Sequence, residues 1–478
     1  WADPKPDGTP PNNWLSIFGG PAWTFDSRRQ QYYLHNFLTS QPDVNFHHPE
    51  ARQAQLDNMR FWLDLGVDGF RLDTVNFYFH DAELRDNPPV PKGEAKTLGA
   101  PEANPYTWQR HVYDLSRPEN LGFLQDLRAL MDEYPGTTTV GEIGDDNPLE
   151  RMAEYTAGGD KLHMAYTFDL LNMPHSASYL REVIERFQRL AGDAWPCWAT
   201  SNHDVVRSAT RWGSEEDPHA YPKVMLAMLF SLRGSVCLYQ GEELGLPEVI
   251  ALPPESRQDP TWFRTDGERY GRDGCRVPLP WEADAPAFGF SPTGASWLPQ
   301  PAEWALFARD AEEGDAASTL NLYKRLLTLR RERELGTGSL VWEDLGENAV
   351  AFRRGDLHVA VNLGAEPLEL GDGAAVAGAF EDVVGDQRNR LGMVQFQPAL
   401  LPAACEVGGI GDQQPFLFMR RQTHGRDPAM TEGSQQRSRA FATHRCWIRR
   451  YASVLDSTLR IGASFDATHR CWIRRYAS

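Results

Sequence analysis

Cysteine is scarce in this chain, with six in 478 residues. They stand at Cys197, Cys237, Cys275, Cys405, Cys446 and Cys471, with no close pairs in sequence and no spacing that suits a metal. The pattern argues against a disulfide-stapled fold, and a reducing, cytoplasmic setting is expected. Long apolar runs are also absent: no stretch approaches the length of a membrane span. Excess positive charge is missing, since 48 Lys and Arg face 66 Asp and Glu, for a net charge of −18. That balance argues against nucleic acid as a partner and against an anionic membrane surface. An initiating Met and a signal-peptide pattern are lacking too, and residues 1–11 read as a Pro- and Gly-rich loop.

What is present suffices for two or three domains, with 41% hydrophobic and 11% aromatic residues. Most of the rings belong in a core. Residues 49–65 read as an amphipathic helix, with Leu56, Met59 and Leu63 at helical spacing. Pro49 suits its first turn and Gly66 its stop. Further helical patterns fall at 121–131, 178–190, 222–232 and 319–333. Five strand-like runs are interspersed with them, at 67–72, 137–140, 165–168, 197–200 and 235–239. Such alternation means an α/β architecture. Residues 76–117 form a long stretch rich in proline, including Asn87-Pro88-Pro89-Val90-Pro91 and Leu98-Gly99-Ala100-Pro101. A loop this long usually serves a site, here as a wall beside it, although an ordered surface excursion fits as well. After Gly336 come short strands at 349–353 and 357–362, joined at Arg354-Gly355-Asp356, which predict a small antiparallel β domain.

Three carboxylates follow three of the strand-like runs. Asp73 lies in Gly69-Phe70-Arg71-Leu72-Asp73, Glu142 in Thr139-Val140-Gly141-Glu142, and Asp204 in Ser201-Asn202-His203-Asp204. In a (β/α)8 barrel the carboxyl ends of the strands form the catalytic face. One acid there is ordinary; several together, with an Arg at i−2 of one and a His before another, make a constellation. Retaining glycoside hydrolysis uses a carboxylate nucleophile and a carboxylic acid that protonates the leaving oxygen. A third carboxylate can stabilise the charge that develops on the sugar. Arg71 shares a strand face with Asp73 and would keep it ionised. Glu142 would need partial desolvation and a raised pKa. His203 could donate a hydrogen bond to a substrate hydroxyl. Singly, each has a plainer reading: a structural ion pair for Asp73 with Arg71, a helix-capping acid for Glu142, a supporting buried histidine for His203.

These motifs resemble those of the α-amylase family, glycoside hydrolase family 13. Residues 69–77 are similar to its nucleophile motif, Gly141-Glu142 to its acid/base motif, and Asn202-His203-Asp204 to its third-acid motif. Gln41-Pro42-Asp43-Val44-Asn45 resembles an extra motif of the oligo-1,6-glucosidase and α-glucosidase branch. Gly271-Arg272-Asp273-Gly274-Cys275-Arg276-Val277-Pro278 resembles a downstream loop whose first Arg, here Arg272, binds the −1 glucose. The resemblance covers roughly residues 1–420 and implies a (β/α)8 TIM barrel with a domain B excursion and a C-terminal antiparallel β domain. It implies a retaining exo-α-glucosidase, with Asp73 as nucleophile, Glu142 as acid/base and Asp204 as transition-state stabiliser. Arg71, Thr74, His203, Arg272 and Phe168 become the substrate-binding candidates. Thr at position 74 goes with α-1,4 preference in the family and Val with α-1,6, so maltose-like substrates are expected, with alcohols as further acceptors. An α-glucosyltransferase or a sucrose-type glucosidase is the alternative within the family. Non-catalytic transporter-partner relatives lose the acids, which this chain keeps. The reaction needs no cofactor and no catalytic metal, while some relatives hold a structural divalent cation in a part upstream of Trp1. A monomer or homodimer is expected.

On this resemblance residues 1–47 are most of domain B, 48–336 carry barrel strands four to eight, and 337–421 are the C-terminal domain. Strands one to three would lie upstream of Trp1. The expectation is therefore a fragment with open sheet edges, weakly active or inactive as it stands. Residues 442–453 recur letter for letter at 467–478, within an aberrant tail at 422–478. Perfect repetition is unlike a structural repeat, which drifts. A basic tail for a polyanion is one reading; out-of-frame translation of repetitive DNA is the favoured one.

Overall fold

The computed structural model describes residues 1–91, 104–172, 176–212, 220–364 and 394–397, the last as backbone. Leu98-Gly99-Ala100-Pro101, most of 365–421, the repeated segments, and Cys405, Cys446 and Cys471 lie outside the described residues. The chain opens with an antiparallel hairpin of β1 (Trp23–Asp26) and β2 (Gln31–Leu34). Asp26 Oδ1 closes its turn by accepting the N–H groups of Arg28 and Arg29. Helix α1 (Pro49–Asp64) starts on the expected proline, and Gly66 at φ +90° follows its end, a left-handed turn that glycine adopts without steric cost.

Then strands and helices alternate: β3 (Gly69–Leu72), α2 (Glu119–Asp132), β4 (Thr138–Ile143), α3 (Pro148–Thr156), β5 (Met164–Thr167), α4 (Asp169–Asn172), α5 (Ala177–Ala191), β6 (Cys197–Trp198), α6 (Ser208–Trp212), α7 (Ala220–Ser231) and β7 (Ser235–Val236). β3, β4 and β5 pair in parallel, Ala165 bridges to Pro196 in parallel, and β6 pairs with β7 in parallel. Sequence order is therefore sheet order, as in a barrel wall. Helix α5 shows why such segments cover the strands. Ser176 caps it by accepting the Tyr179 N–H at 3.2 Å, and Leu180, Val183, Ile184 and Phe187 line its buried face. β6 and β7 are shorter than the sequence predicts. Pairing continues through the Cys237 N–H to the Trp198 carbonyl, at 2.8 Å. Beyond it the Tyr239 N–H turns away to the Glu242 carboxylate, at 3.0 Å, and the ladder stops.

After α8 (Pro260–Arg264), α9 (Arg309–Gly314) and α10 (Thr319–Glu332) comes an antiparallel sheet of β8 (Val341–Glu343), β9 (Ala349–Arg354), β10 (Leu357–Asn362) and β11 (Val394–Gln397), in the order β11-β10-β9-β8. The turn expected at Gly355 joins β9 to β10. Val350, Phe352, Val359 and Val361 of this sheet share one apolar core with Phe230, Leu322 and Phe187 from the helices. At the other end Trp14, Trp23 and Leu34 pack with Leu84 and Tyr113 from the long excursion after β3. The Trp14 indole N–H donates to the Arg85 carbonyl at 2.9 Å, tying the two segments together.

Candidate active site

Asp73 stands one residue beyond β3, and Glu142 lies within β4, near its carboxyl end. Arg71 joins them. One guanidinium nitrogen pairs with Asp73 Oδ1, and the other lies 2.7 Å from Glu142 Oε1. The Tyr166 hydroxyl, from the neighbouring β5, donates to Glu142 Oε1 at 2.8 Å and accepts from Arg71 at 3.0 Å. The Thr74 N–H reaches Glu142 Oε2 at 3.4 Å. To do so Thr74 takes a left-handed conformation, φ 43° and ψ 47°, which β-branched residues rarely adopt.

The two acids differ sharply in exposure: the Asp73 side chain is 70% exposed and that of Glu142 only 3%. Burial is the main force on Glu142 and pushes its carboxyl up to about 7, with the charges of Asp73 and Asp204 adding to it. Arg71 and the Tyr166 hydrogen bond pull the other way without winning. Burial works against charge on Arg71 as well, but Glu142, Tyr166 and Asp73 together hold its pKa above the ordinary value.

Asp204 sits in the opposite field. Its Oδ1 lies 2.7 Å from Arg272 Nη1 and 2.9 Å from Arg276 Nη2. Its N–H donates to Asn202 Oδ1 at 2.8 Å, and the His203 imidazole lies 3.3 Å from Oδ2. Burial opposes the charge on Asp204, yet His203, Arg272 and Arg276 outweigh it and lower the pKa. The arginines supply the lasting part, because burial, helped by Arg71 and Arg276, holds His203 below its usual range. Arg272 is braced in turn by Asp259, which accepts from its Nε, and packs 5.5 Å from the Phe18 ring centroid.

The structure thus brings Asp73, Arg71, Thr74 and Glu142 together, and Asp204, His203 and Arg272 together, while the mutual field of Glu142 and Asp204 links the two groups. Phe168 is placed differently. It packs against a cluster of Tyr166, Leu171, Cys197, Ala199 and Val205. Sequence reasoning misses Tyr166 and Asp259. A tyrosine inside an apolar strand reads as core, and Asp259 lies 13 residues from Arg272. Cys197 and Cys237, distant in sequence, meet through their thiols and are free, as is Cys275. Among the described residues no three His, Cys, Asp or Glu side chains cluster so as to hold a metal. No helix among them is long and apolar enough to cross a membrane.

An acid pair bridged by arginine, on a parallel βα wall, defines a class that comparison with known proteins identifies. The family described as "Alpha amylase, catalytic domain" matches residues 1–338, and the chain belongs to that family, whose fold is the (β/α)8 barrel. Among relatives, it is 50% identical over 358 residues to the "Probable alpha-glucosidase" of Rhizobium meliloti, covering 74% of this chain and 64% of that one. It is 30% identical over 375 residues to the oligo-1,6-glucosidase of Parageobacillus thermoglucosidasius, covering 71% and 64%. Among solved structures, an alpha-glucosyl transfer enzyme, XgtA, superposes with a TM-score of 0.72 at 49% identity, over 77% of this chain and 69% of that one. The chain therefore spans about two thirds or less of the length of the curated relatives it matches.

Proposed function

We propose that this chain carries the catalytic centre of a retaining exo-α-glucosidase acting on short, maltose-like α-1,4 glucosides. Asp73, exposed and paired with Arg71, attacks the anomeric carbon and forms a covalent glucosyl ester. Glu142 first gives its proton to the leaving oxygen, then takes one from the incoming water. Asp204, kept ionised by two guanidinium groups, stabilises the oxocarbenium-like charge. Arg272 and His203 hold the −1 sugar, and Thr74 shapes the +1 site. The observation that carries this reading is the contrast within one guanidinium's reach: a buried carboxyl raised to about 7 beside an exposed carboxylate. Those are the two roles of a retaining pair, which stand roughly 5 Å apart.

The five described parallel strands are read as numbers four to eight of the barrel, with residues 1–47 as part of domain B and 337–421 as the C-terminal domain. The excursion after β3 is read as the wall that limits the pocket to short substrates. Its Asn76 side chain donates to the Gly144 carbonyl at 2.8 Å, beside the acid/base strand. Nothing in this scheme calls for a cofactor. Free Cys197, Cys237 and Cys275 accord with a cytoplasmic enzyme.

Transfer of glucose to an alcohol in place of water is the second reading, favoured by the likeness to the solved α-glucosyl transfer enzyme. Both follow one intermediate. The test is proton NMR of the turnover of an aryl α-glucoside, which releases a single glucose, by the intact protein, with and without glycerol. First-formed α-glucose supports retention, and glucosyl-glycerol measures transfer. First-formed β-glucose would sink the two-step mechanism.

A further inference from the structure

The loop that carries Asp204 and the turn that carries Arg272 and Arg276 meet on a buried carboxylate outside the reaction described above. Glu248 is 8% exposed. Its Oε2 accepts the N–H of Arg207, three residues past Asp204, at 2.9 Å. Its Oε1 accepts the hydroxyl of Tyr270, two residues before Arg272, at 2.5 Å. Its own N–H donates to Thr210 Oγ1 at 2.7 Å. Gly274, between the two arginines, packs directly on this carboxylate. A Cβ there would overlap Glu248 Oε1 and lie 2.6 Å from the Val249 carbonyl oxygen.

Further ties cross the same seam. Arg207 Nη2 donates to the Cys275 carbonyl at 2.8 Å, and Arg276 Nε donates to the His203 carbonyl at 2.9 Å. Glu248, which belongs to neither segment, accepts a hydrogen bond from each of them. Glu242, the neighbouring buried acid, holds Thr200 at 2.5 Å and the Tyr239 N–H at 3.0 Å, so it anchors the strand ends instead.

We propose that Glu248 is a positioning residue for glucosyl transfer, clamping the Asp204 loop to the Arg272–Arg276 turn so that both guanidinium groups converge on Asp204 Oδ1. The proposal rests on the glucosyl-transfer reading above. Its physical basis is the sensitivity of such constellations: a shift of about 1 Å can cost about a hundredfold in rate. Two hydrogen bonds on one buried side chain, one from each segment, fix that geometry.

The test uses three variants of the intact protein. Glu248→Ala removes both tethers, Tyr270→Phe removes one hydroxyl, and Glu248→Gln keeps the shape and an acceptor. Activity is measured on an aryl α-glucoside, with active sites counted from the burst, alongside thermal melts. The expected result is kcat per active site down about a hundredfold in Glu248→Ala and about tenfold in Tyr270→Phe, with KM changed much less. Glu248→Gln should stay within about threefold of wild type. If Glu248 serves the fold alone, melting temperatures fall while kcat per active site stays within about twofold in all three, which overturns the proposal. Should Glu248→Ala not fold, Tyr270→Phe decides. A wild-type protein that turns over no α-glucoside would overturn the glucosyl-transfer reading and this role with it; unchanged kcat in variants of an active enzyme overturns the positioning role alone.

Discussion

Glu142 lies near the end of β4 and Asp204 in the loop after β6, and their surroundings pull them apart. Glu142 is walled in beside Tyr166 and shares its one guanidinium with Asp73. Asp204 meets two guanidinium groups, one of them shared with Asp259, and the His203 ring. The first carboxyl is pushed up to about 7, and the second is held below the ordinary carboxylate range. The lesson is that count matters more than presence. One arginine shared with a second acid does not offset burial, while two arginines together with His203 do. Acid and anion are thereby assigned within one site, by environment and not by residue type.

Breaking the pair should have the largest effect. Asp73→Asn removes the nucleophile, and kcat on an aryl α-glucoside should fall roughly 10⁴-fold or more in steady-state assays. Next comes Glu142→Gln, expected to lower kcat on maltose by about 10²–10⁴-fold. An aryl glucoside with a good leaving group should still show a burst, because its first step needs no proton. The wild-type pH profile should lose activity as pH rises through about 7, and this alkaline limb should vanish for the variant's burst. Stability follows with a defined sign. A carboxyl raised in the folded state favours folding below its unfolded pKa and loses that contribution as pH rises through the folded value. Above pH 7 Glu142→Gln should therefore melt higher than wild type.

On the other side of the comparison, Arg276→Ala leaves Asp204 with one guanidinium, nearer the situation of Glu142. Its pKa should rise, moving the acid limb of the kcat/KM profile upward, with about a tenfold loss at the optimum. The smallest effect is expected from Thr74→Val, a few-fold shift in the maltose to isomaltose ratio, within the range of about 1–3 kcal/mol that one pocket side chain commands. An unchanged ratio would remove Thr74 from the specificity argument.

Much of this contrast was legible before the structure. Glycine, arginine and acid at fixed offsets from apolar runs located Asp73, Glu142 and Asp204, and the alternating helices located the strands that carry them. The need for a raised Glu142 followed from chemistry. What sequence could not supply was contact across strands. Tyr166 belongs to β5 but hydrogen-bonds to an acid on β4 and an arginine on β3, a relation with no sequence signature. Asp259 and Glu248 reach their partners through folded loops, and isolated acids in loops read as solvated charge. Phe168, a candidate that the resemblance implies, packs against an apolar cluster that includes Tyr166.

The most direct measurement is to trap the glycosyl-enzyme with a fluorinated α-glucosyl fluoride and map the labelled peptide by mass spectrometry. The account predicts a single fluorohexosyl adduct, and places it on Asp73. An adduct on Glu142 or Asp204, or turnover of substrate with no covalent adduct at any carboxylate, would contradict it.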